Sequence, residues 1–374
     1  MKVALLLSGG VDSSVALHLL LRQGHEVTAF YLKIWLEDEL AHLGNCPWED
    51  DLAYCREVCA AAGVPLEVVP LQREYHQKVV AWAIGELRAG RTPSPDVSCN
   101  QRIKFGAFLD LLDERCGPPG AGGFDSIASG HYARLGEEDG DVTLLRGSDP
   151  AKDQTYFLFQ LEQRQLRRCL FPVGHLRKSE VRALAAELAL PNEGRKDSQG
   201  ICFLGKIPFD DFVRGHLGEQ PGPIRRLPGG EILGRHRGHF LFTVGQRKGL
   251  GLGGGPWYVV RKDLATDTVW ICHQSDVGGF RRDAFLVPQP HWIGRPLEAG
   301  ECELRVRHSP RTLAARIEPD GAMLRVRLAE PDPGIAPGQV AVFYQGEICR
   351  GGGQIELPAG EGSGGEIFLA DCAL

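Results

Sequence analysis

The first 200 residues of the chain alternate short apolar runs with segments in which apolar residues recur every three or four positions. Apolar runs of this length predict strands, and the periodic segments between them predict helices. Strands and helices that alternate in this way indicate an α/β domain built on a parallel sheet. The predicted strands cover residues 3–7, 27–32, 66–69 and 126–129. The predicted helices cover residues 13–22, 51–62, 76–89, 105–115, 162–169 and 178–188, the last with Ser179 as its N-cap.

Beyond about Pro221 the chain is rich in glycine and proline and holds short segments of alternating polarity. This pattern is typical of small all-β domains or barrels. The predicted strands of this part cover residues 257–261, 268–272, 303–306, 324–328 and 340–344. With 374 residues the chain is long enough for two or three domains. We therefore predict an α/β domain at residues 1–205, a small central domain at 206–286 and an all-β barrel domain at 287–374.

The composition, with 43% hydrophobic and 24% charged residues, is that of a globular protein without a membrane span, and we expect a cytoplasmic location. Eleven cysteines, an odd number without tandem CxxC pairs, argue against a disulfide framework. The net charge is −6, yet Lys and Arg outnumber Asp and Glu between residues 201 and 311. This basic segment suits a polyanionic partner, or it is an ordinary solvated face. Its paired and clustered cations are Arg225, Arg226, Arg235, Arg237, Arg247, Lys248, Arg281 and Arg282.

The string SGGVDSS, residues 8–14, directly follows the first predicted strand and opens a helix. Glycines permit a tight turn there, and the N–H groups at the start of the helix converge on an anion. The string lacks the GK[ST] ending of a Walker loop, and Asp12 stands where that loop has its lysine. An aspartate beside phosphates suits a Mg²⁺ ion between them. The alternative is a tight strand–helix turn with a capping residue.

Two cysteines lie in polar segments, where a purely structural thiol is unexpected. Cys99 lies in SPDVSCNQRIKF, residues 94–105, which its proline and polar residues predict to be a loop at the edge of the site. Arg102 and Lys104 follow it, and cationic neighbours favour the nucleophilic thiolate. Cys202 lies in KDSQGICF, a second polar segment that contains glycine. The pair suggests redox or sulfur-transfer chemistry, and the alternative is two incidental loop cysteines.

Six strings occur in one order along the chain: SGGVDSS, PDVSCNQRIKF, SGHYAR, KDQTYFL, DSQGICFLG and FTVGQRKGLGLGGGPWYVV. Together they resemble the bacterial tRNA-specific 2-thiouridylases, which belong to the PP-loop ATP pyrophosphatase superfamily. The resemblance extends to PGQVAVFY, residues 337–344, and thus covers nearly the whole chain. It implies an adenine-nucleotide α-hydrolase fold, ATP and Mg²⁺ as cofactors, and 2-thiolation of the wobble uridine of tRNA. The implied partners are tRNAs for Lys, Glu and Gln and a protein that donates persulfide sulfur.

The resemblance also assigns roles to individual residues. Cys202 would carry sulfur as a persulfide, and Cys99 would be the nucleophile that releases the product and forms a transient disulfide with Cys202. The target base would lie against Ser94, Pro95 and Asp96. ATP would be bound by Leu6, Leu7, Ser8, Gly9, Gly10, Val11, Asp12, Ser13, Leu32 and Gly130. A further group of residues would contact the tRNA or order its site: His131, Lys152, Asp153, Gln154, Arg307, His308 and Gln339.

Two positions depart from the family pattern. Ser94 stands where the family has asparagine, which shortens the group that faces the base. His308 stands where the family has tyrosine, which keeps the neighbouring charge of Arg307 but changes the aromatic contact.

Three other functions stay open on the sequence: a PP-loop ligase that adenylates a small metabolite, a tRNA thiolase with an iron–sulfur cluster on Cys99 and Cys202, and a silent binding protein. Cys55 and Cys59, four residues apart on a predicted helix, are interpreted as core residues and not as metal ligands.

Overall fold

A computed structural model describes residues 1–34, 48–196 and 208–358. The N-terminal part is built on a five-stranded sheet with the order β3-β2-β1-β4-β7, and every pair of neighbours in it is parallel. Its strands are β1 Lys2–Leu6, β2 Glu26–Lys33, β3 Leu66–Pro70, β4 Ser126–Ser129 and β7 Cys169–Leu170. The four strands predicted for this part are all present, and the predicted parallel α/β sheet is confirmed.

Helices cover both faces of this sheet, and their apolar residues form two buried clusters. The described α-helices are Val11–Arg22, Trp48–Ala62, Gln72–Tyr75, Ala81–Arg88, Pro95–Cys99, Phe108–Cys116, Gln163–Leu166, Lys178–Glu187 and Phe209–Leu217. Two π-helical segments, His76–Val80 and Asn100–Ala107, lie between consecutive α-helices. The predicted helix at 76–89 is therefore part of a longer, locally widened helix.

The loop predicted for residues 94–105 is wrong, because this stretch is helical. Pro95 occupies the first helical position, where its missing N–H costs no hydrogen bond and its fixed φ favours the helix. The helix then widens over Asn100–Ala107, and the amide of Gln165 donates to the carbonyl oxygens of Gln101 (2.9 Å) and Phe105 (2.8 Å). Of the polar residues that indicated a loop, Ser98 and Asn100 are buried within this helical stretch and Arg102 is exposed.

Two further boundaries differ from the prediction. Cys169, predicted to end a helix, begins strand β7 and pairs with Ile127 of β4. The helix predicted over residues 178–188 runs over Lys178–Glu187. Ser179, the predicted N-cap, therefore lies inside its first turn. The carboxylate of Glu180 accepts the backbone N–H of Arg177 at 2.6 Å, and this contact replaces the hydroxyl cap.

The remainder of the chain is β-rich, as predicted, and forms two further sheets. A four-stranded sheet has the order β10-β11-β8-β9, with β8 Gly222–Leu227, β9 Ile232–His236, β10 Trp257–Asp263 and β11 Thr268–His273. A larger antiparallel sheet holds β12 Arg282–Pro288, β13 His291–Trp292, β14 Gly300–Arg305, β15 Leu313–Asp320, β16 Met323–Asp332, β17 Val340–Gln345 and β18 Ile348–Gln354. The division at residues 205/206 and 286/287 stays a prediction.

A hairpin from the N-terminal part extends this larger sheet. It consists of β5 Ala133–Glu138 and β6 Asp141–Arg146, and β6 pairs with β18 through Leu145 opposite Ile348. The sequence prediction did not include this hairpin. It directly follows the turn after β4, so the C-terminal sheet is hydrogen-bonded to the segment that leaves the centre of the parallel sheet. Among the described residues, no helix is long and apolar enough to cross a membrane.

Candidate active site

The loop after β1 has the geometry of an anion cradle. Gly9 has a φ of +74°, and a Cβ atom there would lie 2.6 Å from the carbonyl oxygen of Asp51. Gly10 is the N-cap of the helix Val11–Arg22, and the hydroxyl of Ser13 donates to its carbonyl oxygen at 3.0 Å. The first N–H groups of a helix have no partner within it, so this end of the helix can bind a phosphate.

The strand order places this loop at a topological switch point. The chain runs from β1 through β2 to β3 on one side of the sheet, whereas β4 lies on the other side of β1. In open α/β sheets, ligands bind in the crevice that forms where the strand order reverses in this way. Leu32 lies near the end of β2 and Gly130 directly follows β4. The structure thus brings the loop at residues 6–13 together with Gly130, with Leu32 on the neighbouring strand.

Gly130 is packed against the start of the first helix. A Cβ atom at Gly130 would lie 2.8 Å from the backbone nitrogen of Ser13 and 2.9 Å from the carbonyl carbon of Asp12. Both contacts are with backbone atoms, which cannot turn aside as a flexible side chain would. Glycine at this position therefore lets the turn after β4 approach the phosphate loop.

We expect Gly130→Ala to destabilise the protein by about 1–3 kcal/mol, as for other overpacked sites, and to weaken ATP binding. Gly85→Ala is the matched control: Gly85 lies exposed in a helix, and a Cβ atom there meets nothing within 4 Å. That substitution should stabilise the protein by about 0.5–1 kcal/mol. Urea unfolding measures the stability of both variants, and titration with ATP measures their affinity. Equal stability of the two variants would refute the close packing at Gly130.

A lysine from another helix supplies the positive charge that the loop itself lacks. Lys178 Nζ lies 2.7 Å and 2.9 Å from the two carboxylate oxygens of Asp12. The hydroxyl of Tyr132 donates to Asp12 Oδ1 at 2.8 Å. Lys178 is only 14% exposed, so this ion pair is shielded from water. The sequence did not identify Lys178 or Tyr132 as neighbours of the loop. The one indication that Asp12 needs partners is that an acidic residue stands where a Walker loop has its lysine.

The segment that leads towards Cys202 is anchored on the phosphate loop. Asn192 donates to the carbonyl oxygen of Gly9 at 2.8 Å and to Ser14 Oγ at 2.9 Å. Arg195 donates to the same carbonyl oxygen at 3.0 Å and forms an ion pair with Asp51. Cys202 itself lies outside the described residues, and so does the predicted Cys99–Cys202 disulfide.

Cys99 is buried, with 1% of its surface exposed, among the apolar side chains of the core. It ends the helix Pro95–Cys99, and the side chain of the next residue, Asn100, donates to the carbonyl oxygen of Phe157 at 3.1 Å. The guanidinium of Arg102 donates to the carbonyl oxygen of Lys78 and lies over the ring of Trp82. The expectation of a polar setting for this thiol is therefore wrong, because the amphipathic helix turns it inwards.

The half-buried residues Ser94, Pro95 and Asp96 begin the helix that carries Cys99. Burial lowers the pKa of His308, and the negative charge of Asp96 acts in the opposite direction. His308, in the C-terminal part of the chain, is therefore close to these residues. The ring of His308 packs against Phe157 at 4.5 Å between centroids. The chain just before Ser94 is held by the same part of the protein, because the N–H of Thr92 donates to the carbonyl oxygen of Pro337.

His131 lies between the turn after β4 and the helix of Cys99. Its Nδ1 is 2.8 Å from Ser129 Oγ, and its ring is 6.2 Å from those of Phe105 and Phe171. Burial lowers the pKa of His131 well below the ordinary value, and the charge of Lys104 lowers it further. The imidazole is therefore neutral at neutral pH and suited to hydrogen bonding, not to binding phosphate by charge.

The remaining residues assigned to tRNA lie in different settings. Asp153 is buried, and its carboxylate forms an ion pair with Arg305, so it does not face solvent. Lys152 and Gln154 flank it and are half-buried. Arg307 is exposed and forms an ion pair of 2.6 Å with Asp332. Gln339 follows Pro337 in the segment that holds Thr92, and its carbonyl oxygen accepts the N–H of Ile355.

The interpretation of Cys55 and Cys59 as core residues agrees with their setting. Cys55 is fully buried and its thiol donates to the carbonyl oxygen of Leu7 at 3.6 Å. Burial raises the pKa of Cys55 to about 12 and that of Cys59 to about 11, so both are protonated thiols. Across residues 1–34, 48–196 and 208–358, no group of three or more His, Cys, Asp or Glu side chains could hold a metal ion.

Comparison with known families gives three consecutive matches along the chain. Residues 1–206 match the model of the tRNA methyl transferase HUP domain, residues 210–273 that of the tRNA methyl transferase PRC-barrel domain, and residues 282–355 that of the aminomethyltransferase β-barrel domain. The predicted fold class, an α/β domain followed by a small central domain and an all-β barrel, is thereby confirmed.

Similar proteins are named tRNA-specific 2-thiouridylase MnmA. One from Methylococcus capsulatus is 45% identical over 94% of this chain and 95% of its own length. MnmA 2 of Bacteroides fragilis is 44% identical over 95% of this chain and all of its own length. Among solved structures, a complex of a 4-thiouridine synthetase with RNA and bound ATP covers 58% of this chain and 50% of that chain at 14% identity, with a TM-score of 0.33. The two full-length matches confirm the resemblance that the sequence motifs indicated.

Proposed function

Because the chain belongs to the tRNA-specific 2-thiouridylase family, we propose that it replaces the C2 oxygen of the wobble uridine in tRNA by sulfur at the expense of ATP. The observation that carries this proposal is the crevice at the end of β1 and β4. A phosphate loop with its own cation, Lys178, lies there beside the turn of Gly130 and His131. Phe105, on the helix that carries Cys99, packs against His131.

In the first step the phosphate loop would hold ATP while the uridine C2 oxygen attacks the α-phosphate. Pyrophosphate leaves, and the C2 oxygen becomes part of an adenylate, which is a far better leaving group than the oxygen of a urea-like carbonyl. The N–H groups at residues 8–13 and the ammonium of Lys178 would stabilise the negative charge that develops on the departing phosphates. Leu32 and Gly130 would lie against the adenosine.

Mg²⁺ fits this arrangement through one carboxylate, Asp12, which is the acidic group of the phosphate loop. Both of its oxygens contact Lys178, so a bound ion would share Asp12 with that lysine or displace it. Held by Asp12, the ion would supply positive charge that offsets part of the charge of the phosphates. Tyr132 holds the carboxylate in place by its hydrogen bond in either case.

In the second step Cys202, carrying a persulfide, would attack C2 with its terminal sulfur, and AMP would leave with the original oxygen. The sulfur now bridges C2 and Cys202. Cys99 thiolate would attack the sulfur atom of Cys202, which forms the Cys99–Cys202 disulfide and leaves the bridging sulfur, with two electrons, on the uridine as the thiocarbonyl. A cellular thiol reductant then reduces the disulfide, and a sulfur-carrier protein restores the persulfide.

The tRNA would lie across the α/β and C-terminal parts of the protein. Ser94, Pro95 and Asp96 would surround the base, which must leave its stack for chemistry at C2. His131, Lys152, Gln154 and Gln339 would contact the tRNA or line its site, and Asp153 would order the site from inside. Arg307 and His308, together with the clustered cations of the central segment, would contact the phosphate backbone. We further propose that the substrates are the tRNAs for Lys, Glu and Gln and that the protein is cytoplasmic.

The test is whether AMP formation requires the RNA. The protein, ATP, Mg²⁺ and a persulfide donor are incubated with an anticodon stem-loop that has uridine at the wobble position, and with a matched stem-loop that has cytidine there. We expect equal amounts of AMP and pyrophosphate with the uridine stem-loop and little with the other. AMP formation that is independent of RNA would refute the proposal and favour a ligase for a small metabolite, while iron in anaerobically purified protein would favour a cluster-dependent route.

A further inference from the structure

A buried ion pair joins the C-terminal sheet to the α/β part of the protein. Arg305, at the end of β14, places Nη1 2.6 Å from Asp153 Oδ2, and their side chains are 2% and 0% exposed. The guanidinium also lies 5.1 Å from the centroid of the Tyr344 ring. Two buried charges are often no more stabilising than a well-packed apolar pair, so stability alone is a weak explanation for this pair.

The carboxylate of Asp153 organises the turn in which it lies. Its Oδ1 accepts the N–H of Gly147 at 3.0 Å, the N–H of Thr155 at 3.2 Å and the hydroxyl of Thr155 at 3.0 Å. Its backbone carbonyl oxygen accepts Nε2 of His308 at 3.3 Å. One buried group therefore fixes both ends of the turn at residues 147–155, which carries Lys152 and Gln154.

The same turn holds the tyrosine that contacts the phosphate loop. The N–H of Gln154 donates to the carbonyl oxygen of Tyr132, and the N–H of Tyr132 donates to Gln154 Oε1, both at 2.9 Å. The hydroxyl of Tyr132 then donates to Asp12. Direct contacts thus run from the C-terminal sheet to the carboxylate of the phosphate loop.

We propose that Arg305 is a positioning residue for the reaction: through Asp153 it sets the turn that carries Lys152 and Gln154 and, through Tyr132, the position of Asp12. This role rests on the proposed function. Arg305 is too deeply buried to touch tRNA or ATP, so it acts only through the groups it holds. Through Asp12 its effect should fall on the rate of the chemical steps, and through Lys152 and Gln154 it should raise the KM for the stem-loop to a smaller extent.

The test compares Arg305→Met, Arg305→Lys and the double variant Arg305→Met with Asp153→Asn. A misplacement of about 1 Å in a site lowers rates by about 100-fold, and we expect a loss of about that size in kcat for Arg305→Met. KM for ATP should stay within about twofold of the wild type, and KM for the anticodon stem-loop should change by less than kcat does. Arg305→Lys keeps the charge and should recover most of kcat.

The double variant separates positioning from folding. It removes both charges together, so no lone charge stays buried and the melting temperature should return towards that of the wild type. Under the proposal its kcat nevertheless stays low. The matched control is Arg327→Met in the same sheet, whose pair with Asp283 is exposed, and it should leave kcat unchanged.

Four results would overturn the proposal. Wild-type kcat in the double variant would make the pair purely structural. A rise in KM for the stem-loop with unchanged kcat in Arg305→Met would indicate direct contact with RNA. If Arg305→Met does not fold, the lysine and double variants decide the question by the same criteria. A wild-type protein that forms no 2-thiouridine refutes the proposed function and this role with it, whereas an active wild type with a fully active Arg305→Met refutes the role alone.

Discussion

In the absence of an added thiol, Cys99→Ser abolishes the formation of 2-thiouridine but leaves adenylation of the RNA intact. Loss of an essential nucleophile lowers turnover by about 1000-fold or more. Because Cys99 acts only after sulfur has reached C2, the variant should accumulate RNA joined to the protein through Cys202. We expect a covalent protein–RNA species on a denaturing gel that disappears on treatment with dithiothreitol.

Cys169→Ser is the matched control for this substitution. Cys169 is 3% exposed and lies in the same apolar cluster as Cys99. Burial raises the pKa of the Cys169 thiol well above its usual value, and Cys169 lies on β7, not on the helix that begins with Ser94, Pro95 and Asp96. Replacing either buried thiol by the more polar hydroxyl should cost about 1–3 kcal/mol. Both variants should thus lose similar stability, but only Cys99→Ser should lose thiolation. Thiolation at the wild-type rate in Cys99→Ser would rule out the proposed role of this cysteine.

Lys178→Met is expected to lower the rate of RNA-dependent AMP formation by about 100- to 1000-fold, the range found when one stabilising group is removed from a developing anion. The lysine is the cation that contacts the acidic residue of the phosphate loop. Without it, Asp12 keeps its negative charge beside the phosphates of ATP. Lys178→Arg keeps the positive charge and should recover part of the rate. Release of pyrophosphate in a single turnover is the measurement.

The chain provides a control at the opposite end of the same two helices. Arg22, at the end of Val11–Arg22, pairs with Glu187 of Lys178–Glu187 at 3.2 Å, and these side chains are 51% and 64% exposed. Arg22→Met therefore removes a charged contact between the same helices far from the loop. It should leave AMP formation unchanged and cost at most about 1 kcal/mol. If Lys178→Met behaves like Arg22→Met, the lysine has no role in adenylation.

The sequence was informative where local pattern and three-dimensional structure agree. The strand–glycine–helix string at residues 8–14 predicted the phosphate loop, and the alternation of elements predicted the parallel sheet. The prediction of a loop at residues 94–105 was wrong because proline and polar residues also suit the first turn of an amphipathic helix. The apolar positions of that stretch are too few to indicate a helix without the core against which they pack.

Long-range contacts were beyond reach of the sequence. The partners Asp12 and Lys178 are 166 residues apart, and Asp153 and Arg305 are 152 apart. No spacing rule links such positions, and each lysine or arginine is more often an exposed residue. The hairpin of β5 and β6 was missed for a related reason: β6 joins a larger sheet only through β18, whose Ile348 lies opposite Leu145.

The most direct test of the central claim is the mass of the RNA after reaction. The protein is incubated with ATP, Mg²⁺, a persulfide donor and a stem-loop with uridine at the wobble position, and the digested RNA is analysed by mass spectrometry. Exchange of the C2 oxygen for sulfur predicts a gain of about 16 mass units on the wobble nucleoside, dependent on ATP. An unchanged mass, or a gain of about 14 mass units from added methyl with a methyl donor present, would contradict the account.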